Sequence, residues 1–265
     1  MKIIKSINPQ KLNNRPDHLS FHFKFTPMAT YYNSDLARVH DQDFCQLAKD
    51  AAYFIKSQTQ GMKVLDLGCG TGTLAKILSE AGFQVTGVDY SLGMLEIARS
   101  NVPTVTFVQN SIFDFEIPPS DVVSLIGEVL CYLFDHHKSD TDSITRLFEE
   151  IYAKLNKQGF LLFDFLTPDV VTDGHLAKRI IERENWSMFV ALDKDANHEI
   201  LTRDLTIFYR EDHLYRRSHE IHRQRLYNPE RIQQILDRIG FSVEILDSYG
   251  DERFRTGHVG MLCRK

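Results

Sequence analysis

The sequence predicts an α/β fold: a doubly wound, mostly parallel sheet of seven strands with helices on both faces, interrupted by an antiparallel β insertion that forms a lid. Three observations carry this reading. Short apolar strand signals alternate with helical periodicity from Lys63 to Phe165 and again after Pro229. The first strand signal runs straight into a glycine-rich loop, VLDLGCGTG, at residues 64–72. Between Trp186 and Tyr227 the alternation gives way to three long strand signals joined by polar turns.

Taken in order, the first thirty residues are polar and proline-punctuated and read as an arm. From Ser34, apolar residues Leu36, Val39, Phe44, Leu47, Ala51 and Phe54 recur at helical spacing, with Asp41 to Asp43 as a candidate interruption. Residues 1–60 are therefore expected to form an arm and cap helix. Strands are expected at Lys63 to Leu67, Gln84 to Asp89, Val105 to Gln109, Val122 to Leu125 and Phe160 to Phe165. The intervening helices span about Leu74 to Ala81, Leu92 to Ser100 and Ser143 to Leu155, the last closed by Gly159. Long strands follow at Trp186 to Leu192, Ile200 to Tyr209 and His213 to Tyr227, separated by DKDANHE and RED. A helix from Pro229 to Ile239 and strands at Phe241 to Leu246 and Val259 to Cys263 resume the first pattern. Residues 61–168 and 229–265 thus read as one ligand-binding domain, with residues 169–228 as an inserted lid. Long insertions in such folds usually cover the site.

Composition narrows the function classes. Thirty-one Lys and Arg against 36 Asp and Glu leave a net charge of −5, without the basic balance of a nucleic-acid binder. The four cysteines (Cys45, Cys69, Cys131, Cys263) form no CxxC pair, so neither a metal site nor a disulfide framework is expected. No apolar leader or membrane-length run occurs, which predicts a soluble protein of a reducing, cytoplasmic compartment.

The glycine loop excludes one ligand class directly. A triphosphate loop needs GxxxxGK[ST], and no lysine follows in register. A dinucleotide loop needs GxGxxG and an acid about 20 residues on; here the glycines are Gly68, Gly70 and Gly72, and Asp89 supplies the acid. A ribose with free hydroxyls wants that carboxylate whichever nucleoside carries it. Asp66, two residues before the first glycine, separates the cases: it would repel a phosphate and suits a ligand that is cationic there, such as an α-amino group beside a sulfonium.

With these residues in place, the sequence resembles the class I S-adenosylmethionine-dependent methyltransferases, of Rossmann-like fold. VLDLGCGTG is similar to that family's first motif, VTGVDYSLGMLEIAR to its second-strand motif, and LNKQGFLLFDF to its fifth strand with the preceding turn. GFSVEILDSYG and HVGMLCRK resemble the closing strands, the last antiparallel. The likeness covers roughly Lys63 to Phe165 and Gly240 to Lys265. The meander and GEVLCYLFD more loosely resemble amine and sugar-amine methyltransferases with an antiparallel lid. The resemblance implies S-adenosylmethionine as cofactor, S-adenosylhomocysteine as product, and a set of binding residues. Asp66 would face the methionyl amine through water or backbone, Gly68 and Gly70 would let the main chain approach, and Asp89 would accept the ribose hydroxyls. Tyr90 and Met94 would lie near the nucleoside. Asn110 stands where the family usually has an acid for the adenine amine, with Ser111 and Ile112 beside it. Gly127 would contact the methionyl part, and Arg38 would pair with its carboxylate, although a helical arginine is equally at home in solvent.

Methyl transfer from a sulfonium is an in-line displacement, so placement of the acceptor dominates. Glu128 and Tyr132, with His136 and His137, cluster after the fourth strand at the carboxyl edge of the sheet. A second cluster, YRRSHEIHRQRLY, spans Tyr215 to Tyr227. Strand alternation puts Arg217, His219, Arg223 and Arg225 on one face, flanked by tyrosines. That face is expected either to hold an acidic acceptor, with His219 as a catalytic group, or to be an exposed, charged strand surface. Trp186 either lines the acceptor pocket or anchors the lid. The leading expectation is methylation of N or O on a small, acidic molecule, with no nucleic-acid or membrane partner, as a monomer or dimer. The alternatives are an RNA methyltransferase and a non-catalytic module that binds the same nucleoside. Against nucleic-acid amine methylation, the position after the fourth strand reads GEVL and lacks the [DNS]PP[YFW] motif.

Overall fold

The computed structural model describes residues 31–134, 140–170 and 177–265. The arm expected over the first thirty residues, and His136 and His137, lie outside the described residues. Two cap helices, α1 (Ser34–Asp43) and α2 (Gln46–Gln58), precede β1 (Lys63–Leu67), α3 (Thr73–Glu80), β2 (Gln84–Asp89), α4 (Leu92–Asn101) and β3 (Thr106–Gln109). Then come β4 (Ser120–Leu125), α5 (Thr141–Lys154) and β5 (Leu155–Leu166). The meander contains β6 (Ala177–Glu182), β7 (Trp186–Lys194), β8 (Ile200–Glu211) and β9 (Leu214–Arg225). The chain closes with α6 (Pro229–Ile239), β10 (Ser242–Leu246) and β11 (His258–Arg264).

The large sheet has the order β10-β11-β5-β4-β1-β2-β3, and β11 runs antiparallel to both neighbours. The chain winds outward from β1 through β2 to β3, then returns to the other side of β1 with β4. The carboxyl ends of β1 and β4 therefore flank a topological switch point, where open α/β sheets bind ligands. Strand residues alternate between two cores. Leu65, Leu67, Val123 and Phe163 pack with α5 and α6, whereas Val64, Val122, Phe160 and Leu162 pack with α2, α3 and α4. Burial on both faces explains why these strands read as continuous apolar runs.

Local chemistry sets the helix ends. Ser91, Asp140 and Asn228 cap α4, α5 and α6 by accepting the N–H of Met94, Ser143 and Arg231. Between α1 and α2 the break falls at Phe44–Cys45, just beyond the expected interruption. Among the described residues no helix is long and apolar enough to cross a membrane.

The smaller sheet has the order β6-β7-β8-β9, with every pair antiparallel. Its inner face packs on α1 through Trp186, Met188, Leu205 and Ile207 against Leu36 and Val39. It joins the large sheet through an isolated bridge between Tyr132 and Gln224 and through Tyr227 N–H to the Leu166 carbonyl at 2.8 Å. The two faces of β9 differ in burial. Glu220, His222 and Gln224 are buried, and Arg217, His219 and Arg223 are exposed on the outer surface. Trp186 is an anchor: it is 2% exposed and its indole N–H donates to Asp43 at 3.1 Å.

Candidate active site

A cavity opens at the switch point, and the glycine loop forms its floor. Gly68 and Cys69 donate their N–H groups to the Val88 carbonyl, tying the loop to β2. Gly68 has φ +76°, and a Cβ there would stand 2.4 Å from Val129 Cγ2. Gly70 has φ +54°, but a Cβ there would meet nothing within 4 Å. Its freedom is needed for the backbone conformation and for whatever fills the open side.

Asp89 lies on the cavity wall at the end of β2. Its Oδ2 accepts Gly70 N–H and its Oδ1 accepts Ser91 N–H, each at 2.8 Å. The Tyr90 N–H also bonds to this carboxylate, and of its about four lone-pair sites one remains toward the cavity. Burial raises the Asp89 pKa against those stabilising N–H groups. Asp66 is placed differently. It is 2% exposed beneath the loop, accepts the Ser124 hydroxyl at 2.8 Å, and burial pushes its pKa up to about 7. It is not a wall residue.

Tyr90, Met94, Ser111, Ile112 and Gly127 line the cavity. The Asn110 side chain does not: its Oδ1 accepts the Ser111 N–H at 2.8 Å instead. Arg38 also departs from expectation. It is exposed on the outer side of α1, with its guanidinium 6.0 Å from the Tyr209 ring centroid, and His40 of the same helix lines the cavity.

The far wall is aromatic. Tyr31, Tyr32, Tyr132 and Phe134 close over the loop, and the Tyr32 and Tyr132 hydroxyls lie 2.6 Å apart. Burial lifts the Tyr32 pKa to about 12 and the Tyr132 pKa well above the usual phenol value, so both stay protonated. The segment bearing Tyr32 is strapped down by the lid. Glu220 accepts the N–H groups of Tyr32 and Asn33 at 2.7 and 2.8 Å, and its Oε2 lies 2.8 Å from His222 Nε2.

Glu128 sits beside this wall at φ +64°, an uncommon conformation for a side-chain-bearing residue. Asp164 holds it there by accepting the N–H groups of Gly127 and Glu128. The Glu128 carboxylate does not line the cavity. It accepts Arg203 Nη2–H at 2.7 Å and Gln224 Nε2–H at 2.8 Å. Burial opposes its charge, but Arg203, His258 and Gln224 together outweigh this and keep its pKa below the ordinary value. Such a group fastens the lid to the sheet and is a poor proton acceptor. His219 lies on the outer lid surface, 2.8 Å from Asp204 Oδ1, away from the cavity. Sequence reasoning missed Tyr31, Tyr32, His40, Arg203 and Glu220. The Tyr31–Tyr32 pair before the cap helix was its only local signal, because Tyr32 and Glu220 are 188 residues apart.

Comparison with known proteins gives four likenesses. A family described as "Methyltransferase domain" matches residues 39–245. A Geobacillus sp. (strain WCH70) protein that carries the name methyltransferase, with no acceptor in the name, is 34% identical over 209 residues, 73% of this chain and 80% of its own length. Among solved structures, an S-adenosylmethionine-dependent methyltransferase of Clostridium acetobutylicum ATCC 824 superposes with a TM-score of 0.74 at 19% identity, over 87% of this chain and 97% of its own. A sugar N-methyltransferase of Streptoalloteichus sp. ATCC 53650 gives 0.67 at 20% identity, over 98% of this chain and all of its own.

Proposed function

The chain belongs to the class I S-adenosylmethionine-dependent methyltransferases, and on that premise we propose that it methylates a nitrogen or oxygen of a small molecule held against the Tyr32–Tyr132 wall. The observation that carries this reading is the hydroxyl pair on a wall shared with the glycine loop and roofed by the lid-bound strap. When bound, S-adenosylmethionine supplies an electrophilic methyl group on a sulfonium. Asp89 turns its remaining lone-pair capacity to the ribose hydroxyls, and Gly70, with open space where a Cβ would stand, lets main chain approach the ligand. The aromatic wall excludes water. The tyrosine hydroxyls orient the acceptor by hydrogen bonds and do not take its proton, because their pKa values are raised. Alignment of this kind supplies roughly 7–11 kcal/mol of barrier reduction. It suits an acceptor that arrives nucleophilic, such as a neutral amine or an already ionised hydroxyl. Arg223, exposed on β9, acts on Tyr31 of the cavity, whereas Arg217 does not line it.

The test follows a tritiated methyl group from S-adenosylmethionine into separated low-mass, RNA and protein fractions of a cell extract. Label is expected in the low-mass fraction and is expected to fall with Tyr132→Phe. Label confined to RNA would overturn the small-molecule reading.

A further inference from the structure

Two consecutive residues of the loop after β4 are left-handed, Gly127 at φ +92° and Glu128 at φ +64°. This loop shapes the cavity, since Ile126, Gly127 and Val129 line it. Backbone in such sparsely populated regions persists only where its surroundings over-determine it, and it concentrates at functional sites. Here Asp164 of β5 supplies the restraint. It is fully buried, and besides the N–H groups of Gly127 and Glu128 it accepts the Tyr249 hydroxyl at 3.2 Å. Its Oδ1 also lies 2.8 Å from His258 Nε2.

Tyr249 follows β10 and His258 opens β11, and neither lines the cavity. Burial raises the Tyr249 pKa well above the ordinary phenol value, so its hydroxyl is a fixed donor. The Phe254 ring stacks on the His258 imidazole at 4.7 Å and sets its plane. The His258 side chain is 12% exposed, so protons reach it from solvent. Burial opposes its charge, but the hydrogen bond and charge of Asp164, with the charge of Glu128, hold its pKa above the ordinary histidine value, and Arg203 acts the other way. When protonated, His258 balances the charges around the loop: His258 and Arg203 are positive, Asp164 and Glu128 negative. Losing that proton leaves a net negative charge in a buried set, which is unfavourable.

We propose that Asp164 and His258 are positioning residues of this methyltransferase, which fix the loop after β4 in the left-handed form that walls the cofactor, and do so most firmly when His258 is protonated. Neither touches the ligand. The inference rests on the cavity being the cofactor site and extends the machinery to residues behind it.

Calorimetric titration of S-adenosylhomocysteine between about pH 6 and about pH 9 tests it, with wild type, His258→Gln, His258→Leu and Asp164→Asn. At the acid end His258→Leu, which offers Asp164 no donor, is expected to bind roughly tenfold more weakly than the wild type, and His258→Gln, which keeps an N–H donor but no charge, to fall between the two. The wild-type advantage over His258→Gln is expected to shrink as pH rises through the His258 pKa. Asp66 and the ligand titrate alike in both proteins, so this ratio isolates His258. Asp164→Asn is expected to bind weakly, with the pH profile of His258→Gln. A role confined to stability would move the urea midpoint with pH and leave the ratio flat. A flat ratio, an Asp164→Asn protein with the wild-type profile, or wild-type affinity in His258→Leu would overturn the proposal. Failure of the wild type to bind at any pH would instead overturn the reading of the cavity beneath it.

Discussion

At Gly68 an added Cβ would collide with Val129, whereas at Gly70 it would enter open cavity. Gly68→Ala is therefore expected to lose about 2 kcal/mol or more of stability, because a left-handed residue and a clash combine. Gly70→Ala carries only the conformational penalty of about 1–2 kcal/mol, yet it is expected to lose S-adenosylhomocysteine binding. Urea unfolding and calorimetry separate the two effects; a Gly70→Ala protein with wild-type affinity would show that the loop does not touch the ligand. Asp66 makes a pH prediction. Its folded pKa, about 7, lies above the ordinary carboxylate value, so the folded state holds its proton longer than the unfolded chain. That contribution is fully present below about pH 4 and is lost as pH rises toward 7. Asp66→Asn is expected to remove this loss, so the stability difference between variant and wild type shifts in favour of the variant from pH 4 to 7. A difference that stays flat across that window would mean that Asp66 is not strained by burial.

Among the elements, β9 and β8 carry the polar contacts that seat the lid. Arg203 and Glu128 form a mostly buried ion pair between β8 and the loop after β4. Arg203→Ala strands the carboxylate and is expected to destabilise by about 3 kcal/mol, and adding Glu128→Gln is expected to restore part of that. Additive losses in urea unfolding would show that the pair is not coupled. This seam also marks where legibility in the sequence ended. The bounds of β1, β2 and α6 were readable to the residue, since apolar runs, an Asn-Pro start and a Gly stop are local signals. Strand β6, AKRIIE, was not: it is an edge strand with Ile180 exposed and has no clean alternation. For β9 the strand was legible but its inward face was not. Both faces are polar, and the buried one is Glu220, His222 and Gln224, whose partners come from the strap and the loop after β4. Asp89 was legible for the opposite reason, because loop and acid lie close in sequence on consecutive strands.

For the molecule as a whole, the two sheets share one core: Leu192, Leu201 and Leu226 of the meander and its exit pack with Phe163 and Phe165 of β5. We therefore propose that the insertion unfolds with the large sheet. Trp186 is the only tryptophan and sits in the lid, so its fluorescence reports that sheet while far-ultraviolet circular dichroism reports the whole. Coincident thermal transitions are expected; an earlier Trp186 transition would make the lid a separate unit. The lid, strap and glycine loop converge on one cavity, and the account stands on that cavity being the cofactor site. The most direct test is calorimetric titration of S-adenosylhomocysteine into the wild type and Asp89→Ala, with NADH as a control. The account predicts binding by the wild type, weakened roughly 10–100-fold by the substitution, and none of NADH. Unchanged affinity in Asp89→Ala, or binding of NADH alone, would contradict it.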